Sequence, residues 1–300
     1  MLQFVLKHIN KLIIGLLIAV ALLHLTFVKI PTQAEVNFLD IGQGDSVLIV
    51  TPELHTILID GGPGETVLEQ IGEVLPFFAH DIDLMVLTHP HRDHLEGLLE
   101  VIQRYNVHHL LLAGDDYGSG LYRQFLEFAR MEEASSGLQI HFAEASTDIK
   151  VPSGDGEILL DIFHPINLIT GQKYDNANNA SIVIRMSYIS RLRSLESYYR
   201  SFMFTGDCEK ECEQQILSVY PATALTADIL KIGHHGSRTS SLQAFLDAVS
   251  PKIAVIQVGA DNQFEHPHPE TLEKLSAMNV EVHRNDLEGR ITMPMNLTNQ

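Results

Sequence analysis

The sequence predicts an α/β domain in which two sheets pack face to face with helices on their outer sides, preceded by one N-terminal hydrophobic helix. Three observations carry that expectation. Short apolar runs closed by Gly- and Asp-containing turns recur from residue 36 onward, and helical stretches with apolar residues at three- and four-residue spacing alternate with them. Mixed strands and helices over such a length bury their apolar faces best as two sheets with helices outside. Residues 12–28, in contrast, carry no formal charge and are apolar on every side, unlike one face of a soluble helix.

The N-terminal run lies at the short end of what spans a bilayer. Lys7 and Lys11 precede it and only Lys29 closely follows, which places the N-terminus in the cytoplasm and the remainder outside. A retained anchor is favoured over a signal peptide cut after Ala34, because the next strand begins near Glu35 and cleavage would leave no linker. The domain division is therefore 1–34 as anchor or signal segment, 35–295 as one folded domain, and 296–300 as a tail.

Within the domain, residues 36–41 and 47–50 read as strands joined by Gly42-Gln43-Gly44-Asp45, and 56–59 as a third ending at Asp60-Gly61-Gly62. A short helix leads to an apolar strand at 84–87. Further strands are expected at 109–112, 157–163, 181–187, 201–204, 228–232, 253–258, 280–283 and 290–293. Helices are expected at 95–104, 121–133, 209–219, 242–249 and 270–278. No linker divides the region.

Apolar residues make up 45% of the chain and charged residues 19%, an ordinary globular balance. The net charge is -18, and because the first 34 residues hold only Lys7, Lys11 and Lys29, the rest carries 17 Lys and Arg against 38 Asp and Glu, about -21. Such a body repels polyanions over most of its surface and argues against extended duplex binding. Cys208 and Cys212 stand four apart on a predicted helix, a poor placement for a disulfide. Two thiols alone make no zinc site, so they read as small half-buried side chains.

The chemistry concentrates in Thr88-His89-Pro90-His91-Arg92-Asp93-His94, between an apolar strand and a helix, where loops collect function. Pro90 disfavours helix at His89, keeping His89 and His91 extended. Asp93 and His94 enter the helix and point to a second position. Imidazoles with a carboxylate suit zinc or manganese. More ligands are expected at other strand ends: Asp207 after Phe204-Thr205-Gly206, His234 and His235 after Lys231-Ile232-Gly233, and His164 after the strand at 157–163, where a satisfied strand-end histidine is the alternative. Asp207 is alternatively a helix N-cap.

His89-Pro90-His91-Arg92-Asp93-His94 matches the HxHxDH signature of the metallo-β-lactamase superfamily. Residues 38–45, 58–62, Thr205-Gly206-Asp207, His234-His235-Gly236-Ser237, Asn178-Asn179-Ala180-Ser181 and His266-Pro267-His268-Pro269 resemble the hydrolase domain of ComEC-type DNA-uptake competence proteins. The resemblance covers nearly all of 35–295 and implies the four-layer αβ/βα metallo-β-lactamase sandwich with two divalent metal ions, Zn2+ or Mn2+, at its edge. Carried over by position, His89, His91, Asp207 and His164 hold one metal. Asp93, His94, Asp207 and one of His234 or His235 hold the other, with His235 favoured because it directly precedes Gly236. His234 then touches substrate, and Asp93 and His234 are the catalytic candidates. Asp60 orients ligands, with Asp45, Asn179 and Ser237 as further supporting or substrate-contacting residues.

The implied activity is metal-assisted hydrolysis of a phosphodiester outside the cytoplasm, either single-stranded DNA or an envelope polymer such as teichoic acid. Alternatives are a lactam, ester or thioester hydrolase, or a non-catalytic metal-bound DNA receptor or assembly partner. The chain departs from the competence proteins in offering a single hydrophobic segment in place of a multi-helix channel. A stretch from Arg185 to Arg200 holds four Arg and three Tyr against one Glu, a composition suited to single-stranded nucleic acid, or simply to a solvated hairpin.

Overall fold

The computed structural model describes residues 10–16, 30–190 and 199–296. Residues 10–16 are helical with Leu12, Ile13, Ile14 and Leu16 exposed. Most of the hydrophobic run expected to anchor the chain, residues 17–28, lies outside the described residues. Among those described, no helix is long and apolar enough to cross a membrane.

The first sheet contains β1 (Glu35–Phe38), β2 (Val47–Val50), β3 (Thr56–Ile59), β4 (Asp81–Leu87), β5 (Asn106–Leu112) and β6 (Gln139–Phe142), and is closed by β14 (Ile291–Pro294). Its spatial order is β14-β1-β2-β3-β4-β5-β6. The second sheet contains β7 (Asp148–Ser153), β8 (Gly156–His164), β9 (Val183–Ser190), β10 (Phe202–Phe204), β11 (Ile229–Lys231), β12 (Ile253–Ile256) and β13 (Glu281–Arg284), in the order β13-β12-β11-β10-β9-β8-β7. Each sheet is half antiparallel and half parallel: β3 to β6 run parallel in one, β10 to β13 in the other. The helices are α1 (Thr66–Val74), α2 (Arg92–Ile102), α3 (Gly120–Ser135), α4 (Lys210–Val219), α5 (Ala222–Leu225), α6 (Gln243–Val249), α7 (Pro269–Ala277) and α8 (Asn285–Glu288).

Strand alternation explains the layering. In β2 all four residues are buried: Val47 and Ile49 join the core between the sheets, while Leu48 and Val50 join the core under the helices. The inter-sheet core is crossed by Phe38 of β1 and Phe204 of β10, whose rings lie 6.2 Å apart. One outer core gathers under α1, α2 and α3, through residues such as Ile71, Leu98 and Phe125. The other gathers under α4, α6 and α7, through Ile216, Phe245 and Leu275. Helix, sheet, sheet, helix is the four-layer arrangement expected.

Two edge strands are additions to the sequence reading. β6 and β7 carry few buried residues, and β7 contains Pro152, which an edge strand tolerates because one of its sides makes no ladder bonds. Without an apolar run they left no strand signal. A further correction concerns Cys208 and Cys212, which form a disulfide with Cα atoms 5.4 Å apart. The helix begins only at Lys210, so Cys208 sits in the turn before it and not on it; the helical spacing that argued against bridging does not apply.

Because β3, β4, β10, β11 and β12 end on the same side, the loops after them converge at one edge of the sandwich. Arg185 and Arg200, the described ends of the Arg- and Tyr-rich stretch, do not. β9 leaves that edge next to Thr88, where Ile182 N–H donates to the Thr88 carbonyl, and β10 returns to it. From Ser201 to Asp207 is roughly 20 Å of extended chain, so the end of β9 and the start of β10 lie away from that edge. Arg191 and Arg193 fall outside the described residues. Arg200 donates to the Pro294 carbonyl, Arg185 pairs with Asp161, and Tyr188 stacks on Tyr199 at 3.9 Å. Arg185, Tyr188, Tyr199 and Arg200, the described residues of that stretch named here, are no wall of the site described next.

Candidate metal centre

Asp207 is the hub. Its Oδ2 lies 3.4 Å from His94 Nε2, 3.6 Å from His235 Nε2, and 3.8 Å from both His89 Nε2 and His234 Nε2. Gly206 makes this approach possible. Its φ of +49° suits glycine, and a Cβ there would meet Thr88 Oγ1 at 2.8 Å. Asp207 N–H is held by Ser181 Oγ, so the carboxylate is aimed by its own backbone.

The β4–α2 loop behaves as its sequence implied. His91 is the extended residue before α2, and Asp93 and His94 occupy the first helical turn. Asp60, at the end of β3, accepts hydrogen bonds from Thr88 N–H, Thr88 Oγ1 and His94 Nδ1 at 2.7–2.8 Å. Thr88 Oγ1 in turn accepts from His89 Nδ1 at 3.2 Å. One buried carboxylate thus fixes two imidazoles, one directly and one through Thr88, so that both Nε2 atoms face Asp207. His91 Nδ1 stands 3.0 Å from His89 Nε2.

The two adjacent histidines separate clearly. His235 is buried, donates from Nδ1 to the Gln257 carbonyl at 3.0 Å, and presents Nε2 to Asp93 Oδ2 at 3.3 Å. His234 is about a quarter exposed and its Nδ1 is held by Glu209 Oε1 at 2.8 Å, with Thr239 Oγ1 at 3.3 Å. Both have positive φ, +48° and +53°, a backbone that throws the consecutive rings to different sides. Asp45 lies 3.2 Å from His235 Nδ1 and pairs with the buried Lys231 Nζ, which also donates to the Gly206 carbonyl.

His164 and Asn179 make their contacts away from Asp207, whereas Ser237 lies beside the site through Thr239. His164 is fully buried, donates from Nδ1 to the Ser181 carbonyl at 2.8 Å, and has Nε2 3.3 Å from Gln215 Oε1. It is a satisfied strand-end histidine and joins none of the clusters around Asp207. Asn179 contacts Glu211 and the Cys212 N–H, on the α4 side. Its neighbour Asn178 faces the site, with Nδ2 on Glu209 and its buried Oδ1 unpaired. Ser237 bonds Thr239 Oγ1 at 2.9 Å and shapes the loop beside His234. The sequence reading missed Lys231, Glu209, Thr88 and Asn178 as site residues. Lys231 had a signal, a lone charge in an apolar strand, which is rarely buried unless paired.

The electrostatics follow from this crowding. Burial alone raises Asp207, but His235 and His94 outweigh it and hold the carboxyl well below its usual range. Burial lowers His235, and Asp207 and Asp45 override it and push the imidazole up to about 10. His89, buried and beside His94, is held well below its ordinary value. The donor set fits divalent ions. Four groups among the described residues, His89/His94/Asp207, Asp93/His94/His235, Asp45/Asp60/His94 and Asp45/Asp207/His235, each bring ligand atoms within 4.8 Å of one another. His94 Nε2, His235 Nε2 and Asp207 Oδ1 are buried without hydrogen-bond partners, an expensive arrangement unless a cation accepts their lone pairs.

A sequence profile described as a beta-lactamase superfamily domain matches residues 55–256. ComE operon protein 3 of Bacillus subtilis is 30% identical over 297 residues, which is 92% of this chain and 35% of that protein. Recombination protein 2 of Haemophilus influenzae is 28% identical over 264 residues, 86% of this chain and 28% of that one. The chain thus spans about a third of the length of these relatives. Among solved structures, a long-form RNase Z from yeast aligns with a TM-score of 0.52 at 11% identity, covering 88% of this chain and 42% of that one, a likeness of fold. With its profile match, its two-sheet sandwich and its histidine–aspartate edge, the chain belongs to the metallo-β-lactamase superfamily as a hydrolase domain of the kind found in competence proteins.

Proposed function

We propose that the chain is a two-metal phosphodiesterase acting outside the cytoplasm, with single-stranded DNA as the leading substrate and an envelope phosphodiester such as teichoic acid as the other member of the class. The observation that carries this reading is Asp207 Oδ2 surrounded by four imidazole nitrogens at 3.4–3.8 Å. A single short carboxylate in that position offsets repulsion between two neighbouring dications. His89, His91 and Asp207 would hold one ion; Asp93, His94, His235 and Asp207 would hold the other. When bound, zinc or manganese supplies Lewis-acid polarisation of the phosphoryl group and activation of water near neutral pH.

The remaining work belongs to side chains. Asp60 and Asp45 hold imidazoles with Nε2 inward, so ligand geometry is set before substrate arrives. His234 is the candidate proton donor to the departing alkoxide: Glu209 grips Nδ1 and the ring is partly open to solvent, which leaves Nε2 as the working atom. A relative named for recombination directs the substrate reading toward DNA. The Cys208–Cys212 disulfide supports an oxidising compartment, consistent with an extracytoplasmic domain.

The test is turnover by the purified chain loaded separately with zinc and manganese. Bis-p-nitrophenyl phosphate and single-stranded DNA should be cleaved and nitrocefin left intact. Nitrocefin hydrolysis without phosphodiester turnover would establish the lactam reading instead. Metal-loaded protein inert on all three would make the chain a receptor or assembly partner.

A further inference from the structure

Beside the metal centre lies a cavity of about 340 Å³ that the hydrolytic chemistry does not use. It forms where the chain leaves β5: residues 114–116 run against 171–172 through Gly171 N–H to the Gly114 carbonyl and Asp116 N–H to the Gln172 carbonyl. Its volume is in the range of small-molecule sites. Tyr117 is the shared wall. Its ring lines the cavity and meets the His91 ring edge-on, with centroids 5.5 Å apart.

Three further features give the cavity a chemistry. Asp115 is 5% exposed, lines the cavity, and its buried Oδ1 has no hydrogen-bond partner. Burial in this setting pushes the Asp115 carboxyl up to about 6, so near neutrality it can either donate or accept. Arg123 and Arg130 also line it, both exposed and neither in an ion pair with any carboxylate among the described residues. Arg123 donates only to the Gly118 carbonyl at 3.1 Å. Two guanidinium groups with no carboxylate partner among the described residues, lining one cavity, stand out on a chain of net charge -18.

We infer that this cavity is a subsite for the base of a nucleotide adjoining the scissile phosphodiester, with the base against Tyr117, its polar edge at Asp115, and the neighbouring phosphate taken by Arg123 and Arg130. An aromatic face beside cationic forks is how single-stranded nucleic acid is held without sequence preference. A lining that combines Asp115 with aromatic and aliphatic walls suits a ligand that has hydrogen-bonding edges as well as an apolar face, which a base has and a glycerol phosphate unit lacks. The inference rests on the phosphodiesterase reading and narrows its substrate to single-stranded nucleic acid.

Two measurements on the metal-loaded full chain test it. Binding of a fluorescein-labelled ten-nucleotide thymidine phosphorothioate is followed by anisotropy across salt concentrations, and kcat/KM is compared for a single-stranded oligonucleotide and bis-p-nitrophenyl phosphate. Replacing Arg123 and Arg130 together by Ala should weaken oligonucleotide binding at least five-fold and flatten the logarithmic salt slope by about 0.7 per arginine. Asp115→Leu, with folding checked by circular dichroism, should lower the ratio of oligonucleotide to bis-p-nitrophenyl phosphate kcat/KM at least ten-fold. An unchanged salt slope in the double variant overturns the subsite, and the two arginines alone decide that point if Asp115→Leu fails to fold. Equal competition by poly(glycerol phosphate) also overturns it, since that polymer has no base. Absence of turnover on every phosphodiester would sink the enzymatic reading instead, while the binding arm still decides the cavity.

Discussion

Asp207 and His164 show how similar strand-end residues divide into different roles. Asp207 closes β10 on the glycine that lets it reach four imidazoles, and Asp207→Asn keeps its size and any capping hydrogen bond while removing its charge. The Asn variant should lose at least one metal per chain and most turnover with circular dichroism unchanged; mass spectrometry that still finds two metals, with near-normal activity, would reduce Asp207 to a helix cap. His164 is spent on Ser181 and Gln215. His164→Ala should therefore cost about 1–3 kcal/mol of stability, because a buried carbonyl loses its donor, and should leave metal content unchanged. Loss of a metal in that variant would return His164 to the ligand set.

At the scale of elements, the site depends on how α2 and α4 are seated. α2, which carries Asp93 and His94, touches the loop after β3 through two glycines: a Cβ on Gly97 would meet the Gly61 carbonyl oxygen at 2.0 Å, and one on Gly61 would meet Leu98 N at 2.3 Å. Gly97→Ala should push the helix outward, costing about 1–3 kcal/mol as overpacking does and weakening metal binding together with stability. Denaturation midpoints and metal titration both read this, and normal values in both would refute it. α4 supplies Glu213, whose carboxylate accepts from Ser241 and Leu242 N–H at 2.6 and 2.7 Å and so caps the start of α6. Burial raises Glu213 to about 7, against those donors and Lys274. The folded chain then keeps a proton that the unfolded chain gives up from about 4.5, so this group's contribution is full below that pH and is lost as pH rises through about 7. The urea midpoint of wild type minus that of Glu213→Gln should therefore decline between pH 5 and 8; a constant difference would remove the claim.

At the scale of the molecule, charge and hydrophobicity are distributed along the chain in a way that bears on where it works. Lys7 and Lys11 before an uncharged run are the charge asymmetry on which the proposed placement outside the cytoplasm rests. Protease added to intact cells should digest the domain, and deletion of residues 1–30 should release it into the soluble fraction. Protection in intact cells with an accessible outer surface would reverse the topology.

Reading the chain alone was enough for the two-sheet sandwich and for most of the centre, because those signals are local. His89 to His94 carry their geometry in strand, proline and helix start, and Asp60, Asp207 and His235 sit at the ends of apolar strands that alternation identifies. What folding decided was which way neighbouring side chains point and what they meet across the chain. A tight turn of 3₁₀ helix at Ala177–Ala180 sends Asn178 to the site and Asn179 to α4. Glu209 becomes the partner of His234 only because two loops 25 residues apart meet at one edge. Cys208 pairs with Cys212 because the helix starts at Lys210, leaving Cys208 in the turn before it. Spacing constrains residues within one element; contacts between elements arise only when the sheets close on each other, and those contacts set the last ligand choices and shape the cavity under Tyr117.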